Sequence, residues 1–374
     1  MNLEAKVLVG NNSHTIKNLA DKSIQTVVTS PPYWGLRDYG TKSWLGGDEG
    51  CTHVKDKTKT KTFGNEEFNK NRPSRELTKL PGYYYQDKCE LCGAVEEDNQ
   101  LGMEQTPQEF VEQLCQVFDE VWRVLKDDGT IWVNLGDSYS AMRDSKAVPD
   151  TLREGDGTRV GKAANRNPAN LRAAGLKHKD LVGIPWRFAF AMQDRGWYLR
   201  QDIIWSKPNP MPESVQDRCT KSHEYIFLLT KNPRYYYDNE SIKEDSIWSD
   251  DKRAGQGRLH YEGKRQGQKG TGQENFVTIT DKKNKRSVWS VTTSRYKDAH
   301  FATYPPELIT PCILAGSREG DTVLDPFSGS GTTGEVALQN GRNYIGLELN
   351  PDYAKLSEKR LTQAVGMFGQ VSVE

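Results

Sequence analysis

The sequence predicts an α/β fold: a doubly wound, mostly parallel sheet of seven strands covered by helices on both faces. Three observations predict it. Short β-branched runs alternate with helix-period patterns along the chain, the alternation produced when parallel strands are joined by crossovers. One apolar strand runs into a Gly-Ser-Gly turn that opens a helix, the ligand-facing turn of an open α/β sheet. The 374 residues suffice for one large domain with insertions.

In chain order, strands are expected at KVLVG (6–10), IQTVVTS (24–30), TIWVNLG (130–136), LRQDIIWSK (199–207), EYIFLLTK (224–231), TVLDPF (322–327) and NYIGLEL (343–349). Each is a β-branched or aromatic run bounded by polar, Gly or Pro residues. A helix is expected over 107–125, where Phe110, Leu114, Val117, Phe118, Val121 and Leu125 recur at helical spacing behind a first-turn proline. Others are expected over 305–315 and after Gly331. Three segments fit this scheme poorly and read as insertions: residues 35–105, 140–178 and 238–298. The expected organisation is therefore 1–34 with 106–237 as one half of the main domain and 299–374 as the other. The segments 35–105 and 238–298 are inserted.

The 51 basic and 51 acidic residues balance to zero, which excludes a global polycation; an anionic partner must be met locally. Residues 143–179 and 241–299 are each basic in balance and rich in Gly, Asn and Gln, a composition that suits either a solvated loop or a phosphate-contacting one. No apolar run is long enough to span a membrane, and the first residues lack a basic region followed by an apolar one. The expectation is a soluble, cytoplasmic protein. Six cysteines in a chain of this length point to reduced thiols or a metal site rather than a disulfide framework.

Two motifs carry the chemistry. In TSPPYW (29–34), consecutive prolines end an apolar strand, which removes backbone donors and stiffens the chain just where that strand stops. In VLDPFSGSGTTGEVALQNGRNYIGLELN (323–350), Gly329, Ser330 and Gly331 form the turn, and a carboxylate, Glu348, ends the next strand about 20 residues on. Glycines let backbone approach a ligand, and such a carboxylate accepts from ribose hydroxyls. This is an adenosine-binding pattern. No Lys follows the glycines, so a phosphate-cradling Walker loop is not expected.

Together, DPFSGSGTT and TSPPYW closely resemble the prokaryotic amino-directed DNA methyltransferases that use S-adenosylmethionine. FDEVWRVLKDDGTIWVNLGDSY (118–139), RCTKSHEYIFLLTK (218–231) and HFATYPPELI (300–309) match further motifs of that family in consistent order. With the catalytic motif first and the cofactor motif last, the order resembles the circularly permuted group called beta. The resemblance implies a Rossmann-like methyltransferase sheet. It also implies cofactor binding by Asp325, Phe327, Gly329, Ser330, Gly331, Thr332, Glu348 and Asn350, and double-stranded DNA as partner.

It further implies direct methyl transfer to an exocyclic amine. The lone pair of such an amine is delocalised into the ring, so acceptors must draw its hydrogens out of plane. Ser30 hydroxyl and the carbonyl of Pro31, held rigid with Pro32, are the expected acceptors. Tyr33 is expected to stack on a flipped base, with Trp34 extending that wall. In the family, Ser at the first position goes more often with the cytosine 4-amino group and Asp with the adenine 6-amino group; Ser both donates and accepts, whereas ionised Asp only accepts. Cytosine-N4 is favoured and adenine-N6 is the alternative. A methyltransferase of RNA or protein, and a non-catalytic zinc protein that binds DNA, are the rival readings. A companion restriction endonuclease and the oligomeric state are left open. The Pro-Cys pair at Cys312 lies in an apolar helical pattern and reads as a buried free thiol rather than a nucleophile.

The first insertion contains CTH (51–53) and CELCG (89–93). The C-x-x-C spacing before Gly is that of a zinc knuckle, which Cys51 and His53 can complete to four ligands with Cys89 and Cys92. A redox dithiol is the alternative. The other insertions are the expected DNA interface: Arg153, Arg159, Lys162, Arg166 and Arg172 as phosphate clamps, and Arg253, Arg258, Lys264, Arg265 and Lys269 in a target-recognition region. Asn209, in KPNPMPESVQDR (207–218), is the expected polar contact to the base.

Overall fold

A computed structural model describes residues 3–35, 41, 43–48, 50–53, 89–97, 100–140, 174–246, 259–260, 276–277, 282–293, 304–366 and 369–374. The chain divides into two compact units, Met1–Arg37 with Leu101–Glu374, and Asp38–Gln100.

The larger unit is built on a sheet whose strands are β1 Glu4–Val9, β2 Ile24–Thr29, β3 Leu125–Leu135, β4 Tyr198–Ser206, β5 His223–Thr230, β6 Val288–Ser290, β7 Thr322–Asp325, β8 Asn343–Glu348 and β9 Gln370–Val373. Their spatial order is β6-β4-β5-β3-β2-β7-β8-β1-β9. Only β5 runs antiparallel to its neighbours; every other adjacent pair is parallel. Among the described residues the sheet thus has nine strands where seven were expected. The two additions, VWS and QVSV, are short edge strands of mixed polarity, and edge strands need no continuous apolar run because one side of the ladder is unpaired.

Alternation along the central strands sorts side chains to two cores. Ile131, Val133, Phe227 and Leu229 face one; Trp132, Ile226 and Leu228 face the other. This period of two with both sets apolar is what a sheet buried on both faces requires. Helix α1 (Pro107–Val124) covers the first core with Phe110, Leu114, Phe118 and Val121. It starts in a capping box: the Thr106 side chain accepts from Glu109 N at 3.2 Å, and the Glu109 carboxylate accepts from Thr106 N at 3.1 Å. Helix α2 (Ile184–Asp194) adds Phe188 and Met192 to the same core. Helices α3 (Pro306–Gly316), α4 (Thr332–Gln339) and α5 (Pro351–Val365) cover the second. Cys312 lies wholly buried in α3, and burial pushes its thiol up, as expected of a buried free cysteine.

Two consequences position the site. Strands β2 and β7 are parallel neighbours, with Val323 opposite Thr26 and Leu324 opposite Val27, so TSPPYW and DPFSGSG leave the sheet side by side though almost 300 residues separate them. Because β5 is reversed, its amino-terminal end lies at the same edge, with Asn134 opposite Ile226 and Leu135 opposite Tyr225. Among the described residues, no helix is long and apolar enough to cross a membrane.

Candidate active site

Strand β2 is buried throughout, and Ser30 follows directly on its last residue, Thr29. Ser30 Oγ lies 3.3 Å from Asn134 Oδ1 and donates to it. The Asn134 amide is held from behind: its Nδ2 donates to the Tyr225 carbonyl at 3.1 Å, with Glu224 Oε2 also at 3.3 Å. That fixes Oδ1 toward Ser30 and leaves the serine lone pairs directed elsewhere. Tyr33 hydroxyl donates to Glu224 Oε2 at 2.6 Å and lies 3.2 Å from Asn134 Oδ1. Glu224 in turn pairs with Lys207, whose ammonium sits 4.2 Å over the Trp205 ring. The Tyr33 ring presses on Gly136, where a Cβ would stand 2.5 Å from Cε2. Asn134, Glu224 and Lys207 were not expected as site residues; the hint was that Glu224 and Lys207 terminate expected strands and Asn134 lies two residues before the end of one.

Trp34 is buried in the first core, and its indole donates to the Glu104 carbonyl at 3.0 Å, so it is packed under the site rather than forming an open wall. Pro31 is buried and Pro32 half-buried, consistent with a rigid step.

At the end of β7, Asp325 is buried and surrounded by protein donors. Thr29 Oγ1 and Thr333 Oγ1 each donate at 2.6 Å, Phe327 N at 3.0 Å and Tyr304 hydroxyl at 3.3 Å. Burial raises its pKa, and these donors oppose the rise. Its carboxylate therefore ties β2, the glycine turn and α4 together, a positioning role rather than the expected ligand contact. The hydroxyls of Ser330 and Thr332 are likewise turned inward, toward the buried Arg360 of α5 at 3.4 and 2.8 Å. Asn350 caps α5 by accepting from Asp352 N at 2.9 Å, and Phe327 packs against the first core.

Gly329 and Gly331 have φ of +52° and +79°, a region disfavoured for residues with a Cβ. A Cβ on Gly331 would collide with Ser357 Oγ, whereas around Gly329 the nearest such atom is 4.0 Å away. Main chain at Gly329 is thus open to close approach. Glu348 closes the turn from β8: its carboxylate accepts from Gly329 N at 2.7 Å and Asn350 N at 2.8 Å. Burial pushes its carboxyl up to about 7 against those backbone donors. The loop after β1 also reaches this turn, as Asn12 Nδ2 donates to the Pro326 carbonyl at 3.2 Å, a contact the sequence did not signal.

Asn209 is exposed and its amide is engaged by the Thr293 backbone, accepting from N at 3.0 Å; it joins the loop after β4 to the segment after β6 rather than standing free for a base. Asp137 accepts from Gly183 N at 3.0 Å and Ile184 N at 3.1 Å and so starts α2. Arg153, Arg159, Lys162, Arg166, Arg172, Arg253, Arg258, Lys264, Arg265 and Lys269 lie outside the described residues. In the smaller unit, Cys51, His53, Cys89 and Cys92 are brought together.

A family profile described as DNA methylase matches residues 24–359. The chain is 38% identical to the Type II methyltransferase M.Cfr9I of Citrobacter freundii, over 96% of this chain and 87% of that protein. It is 39% identical to the Type II methyltransferase M.SmaI of Serratia marcescens, over 95% and 90%. In fold it is similar to the PvuII DNA methyltransferase, described as cytosine-N4-specific (TM-score 0.54, 16% identity, 100% of this chain and 96% of that one). It is also similar to a putative DNA modification methylase of Thermus thermophilus, complexed with S-adenosyl-L-methionine (TM-score 0.50, 19% identity, 99% of both chains).

Proposed function

Since the chain belongs to the DNA methylase family, and is an S-adenosylmethionine-dependent, site-specific DNA methyltransferase, we propose that it methylates the N4 amino group of cytosine. One observation carries this reading: a serine, not an aspartate, directly follows β2, with its proton given to Asn134 and its lone pairs directed elsewhere. The fold similarity to a cytosine-N4-specific enzyme leans the same way.

The residues at the ends of β7 and β8 suit the cofactor, since Gly329 leaves main chain approachable and Glu348 offers an oriented carboxylate for ribose hydroxyls. When bound there, the cofactor supplies an electrophilic methyl on a sulfonium. In this proposal, Ser30 Oγ and the Pro31 carbonyl accept the two hydrogens of the target amine and pull its lone pair out of conjugation. Tyr33 stacks on the base once it leaves the duplex, held by Glu224 through its hydroxyl. Neither acceptor bonds to carbon, so no covalent enzyme intermediate forms, consistent with Cys312 being packed inside α3. The basic insertions, with Arg253, Arg258 and Arg265, are proposed to meet DNA phosphates. Protection of DNA against a companion endonuclease is the proposed setting, as for Type II systems.

The test is incubation with mixed-sequence duplex DNA and S-adenosylmethionine, digestion to nucleosides and mass spectrometry. N4-methylcytosine is the expected product. N6-methyladenine would keep the mechanism and overturn the base assignment. No methylated nucleoside from DNA, with methyl found on RNA or protein, would overturn the substrate.

A further inference from the structure

We propose that Cys51, His53, Cys89 and Cys92 form a closed, structural zinc site that folds the inserted unit Asp38–Gln100. This does not depend on which base is methylated.

The ligands come from two short segments. Strands Ser43–Leu45 and Val95–Glu97 pair antiparallel, with Trp44 opposite Glu96, and this ladder sets the two ligand-bearing loops against each other. On one side, Cys51 N donates to the Asp48 carbonyl at 3.0 Å, and the Asp48 side chain accepts from Gly50 N, which curls the loop toward the cluster. On the other, Gly93 N donates to the Cys89 carbonyl at 2.9 Å and Cys89 N to the Ala94 carbonyl at 2.7 Å. These bonds bend Cys89-Glu90-Leu91-Cys92 into a knuckle that closes at Gly93, φ +73°. Gly47 permits the approach of the two loops, since a Cβ there would stand 2.7 Å from Cys92 Sγ.

Two separations between donor atoms match the edges of a tetrahedral zinc site. Zinc–sulfur and zinc–nitrogen bonds of about 2.3 and about 2.0 Å imply edges of about 3.8 Å between two sulfurs and about 3.5 Å between sulfur and nitrogen. Cys51 Sγ and Cys89 Sγ are 3.7 Å apart, Cys92 Sγ and His53 Nδ1 are 3.4 Å apart, and all four ligand atoms lie within 4.8 Å of one another. A disulfide would need a sulfur separation of about 2.0 Å, and the three cysteines here are unbridged. His53 holds φ +34°, unusual for a residue with a Cβ. Its ring stacks on Trp44 at 5.0 Å and 18°, so backbone strain and an aromatic face together aim the imidazole at Cys92.

Around the ligand loops, among the residues whose side chains are described, Cys89 and Ala94 are the buried hydrophobic ones. A metal that binds only the folded form adds stabilisation where these loops meet. Four protein ligands leave no open position, so the ion is structural and does not activate water.

The test uses the full chain. Metal analysis should find one zinc per chain, and cobalt substitution should give the visible absorption of a tetrahedral thiolate site. Cys51→Ser and Cys89→Ser should each abolish it, while Cys219→Ser, at an exposed cysteine outside the unit, should retain full occupancy. If those ligand variants are insoluble, the wild-type chain stripped with a chelator answers instead: protease should then cut first within residues 38–100, and added zinc should restore protection. Iron in place of zinc, a metal-free chain with a Cys89–Cys92 disulfide, or unchanged occupancy in both ligand variants would overturn the proposal.

Discussion

Asn134 decides the state of the serine it faces. An amide oxygen accepts a hydrogen bond but takes no proton at neutral pH, so Ser30 remains a neutral hydroxyl whose donor is spent and whose acceptors are available. Ser30→Ala should lower kcat by about 10²- to 10³-fold, the scale for losing one aligned hydrogen-bonding partner in the transition state, with cofactor affinity unchanged in calorimetry. Tyr33→Phe keeps the ring and loses the bond to Glu224; its kcat should fall by less than about tenfold, the scale of one ordinary hydrogen bond. A loss equal to that of Ser30→Ala would show that the hydroxyl network, not stacking, is what Tyr33 contributes. Glu348 sets a pH dependence. Its folded-state value of about 7 lies above the usual carboxylate range, so without ligand it stabilises the fold at low pH and that contribution is lost as pH rises through about 7. Hydroxyl donors from a ribose favour the ionised form. Cofactor affinity should therefore rise between pH 6 and 8, by up to about tenfold per pH step below the shifted value, and Glu348→Gln should flatten the profile in isothermal titration.

At the scale of elements, the glycine turn and the reversed strand do different work. Helix α4 begins at Gly331 in the left-handed region, wedged against Ser357 of α5. A methyl group there meets both the wrong φ and a filled space, so Gly331→Ala should destabilise by roughly 1–3 kcal/mol and weaken cofactor binding with it. Thermal unfolding with and without S-adenosylmethionine checks both effects. Strand β5 brings Glu224 to the active edge from the start of a strand, while β2, β3, β7 and β8 supply theirs from the end. Reversal of one strand is thus what lets a residue 191 positions from Tyr33 reach its hydroxyl.

For the whole molecule, the larger unit carries both cores and the candidate site within its own residues. The chain enters and leaves the inserted unit beside itself, since Gly35 N donates to the Gly102 carbonyl at 2.7 Å. Replacing residues 38–100 by a short Gly-Ser linker should therefore leave a folded protein that still binds S-adenosylmethionine, because closing a short loop between adjacent ends has little entropic cost. Calorimetry on the excised form measures this; loss of folding would mean that the larger unit depends on its insertion.

The sequence by itself determined the central strands of the sheet, the two turns of the candidate site and the four clustered Cys and His positions. These rest on local pattern: an unbroken apolar run in EYIFLLTK, a period of 3.6 after Pro107, glycines at a strand-to-helix turn, C-x-x-C before Gly. Tertiary structure alone decided where side chains point once strands from distant parts of the chain lie together. It turned Asp325 toward Thr29, Thr333 and Tyr304, sank Trp34 into the core, and gave Ser330 and Thr332 to Arg360. It also assembled Asn134, Glu224 and Lys207 around Tyr33. A local pattern records which residues share a face, but contacts across a sheet depend on strand order and direction, which spacing within any one segment does not encode.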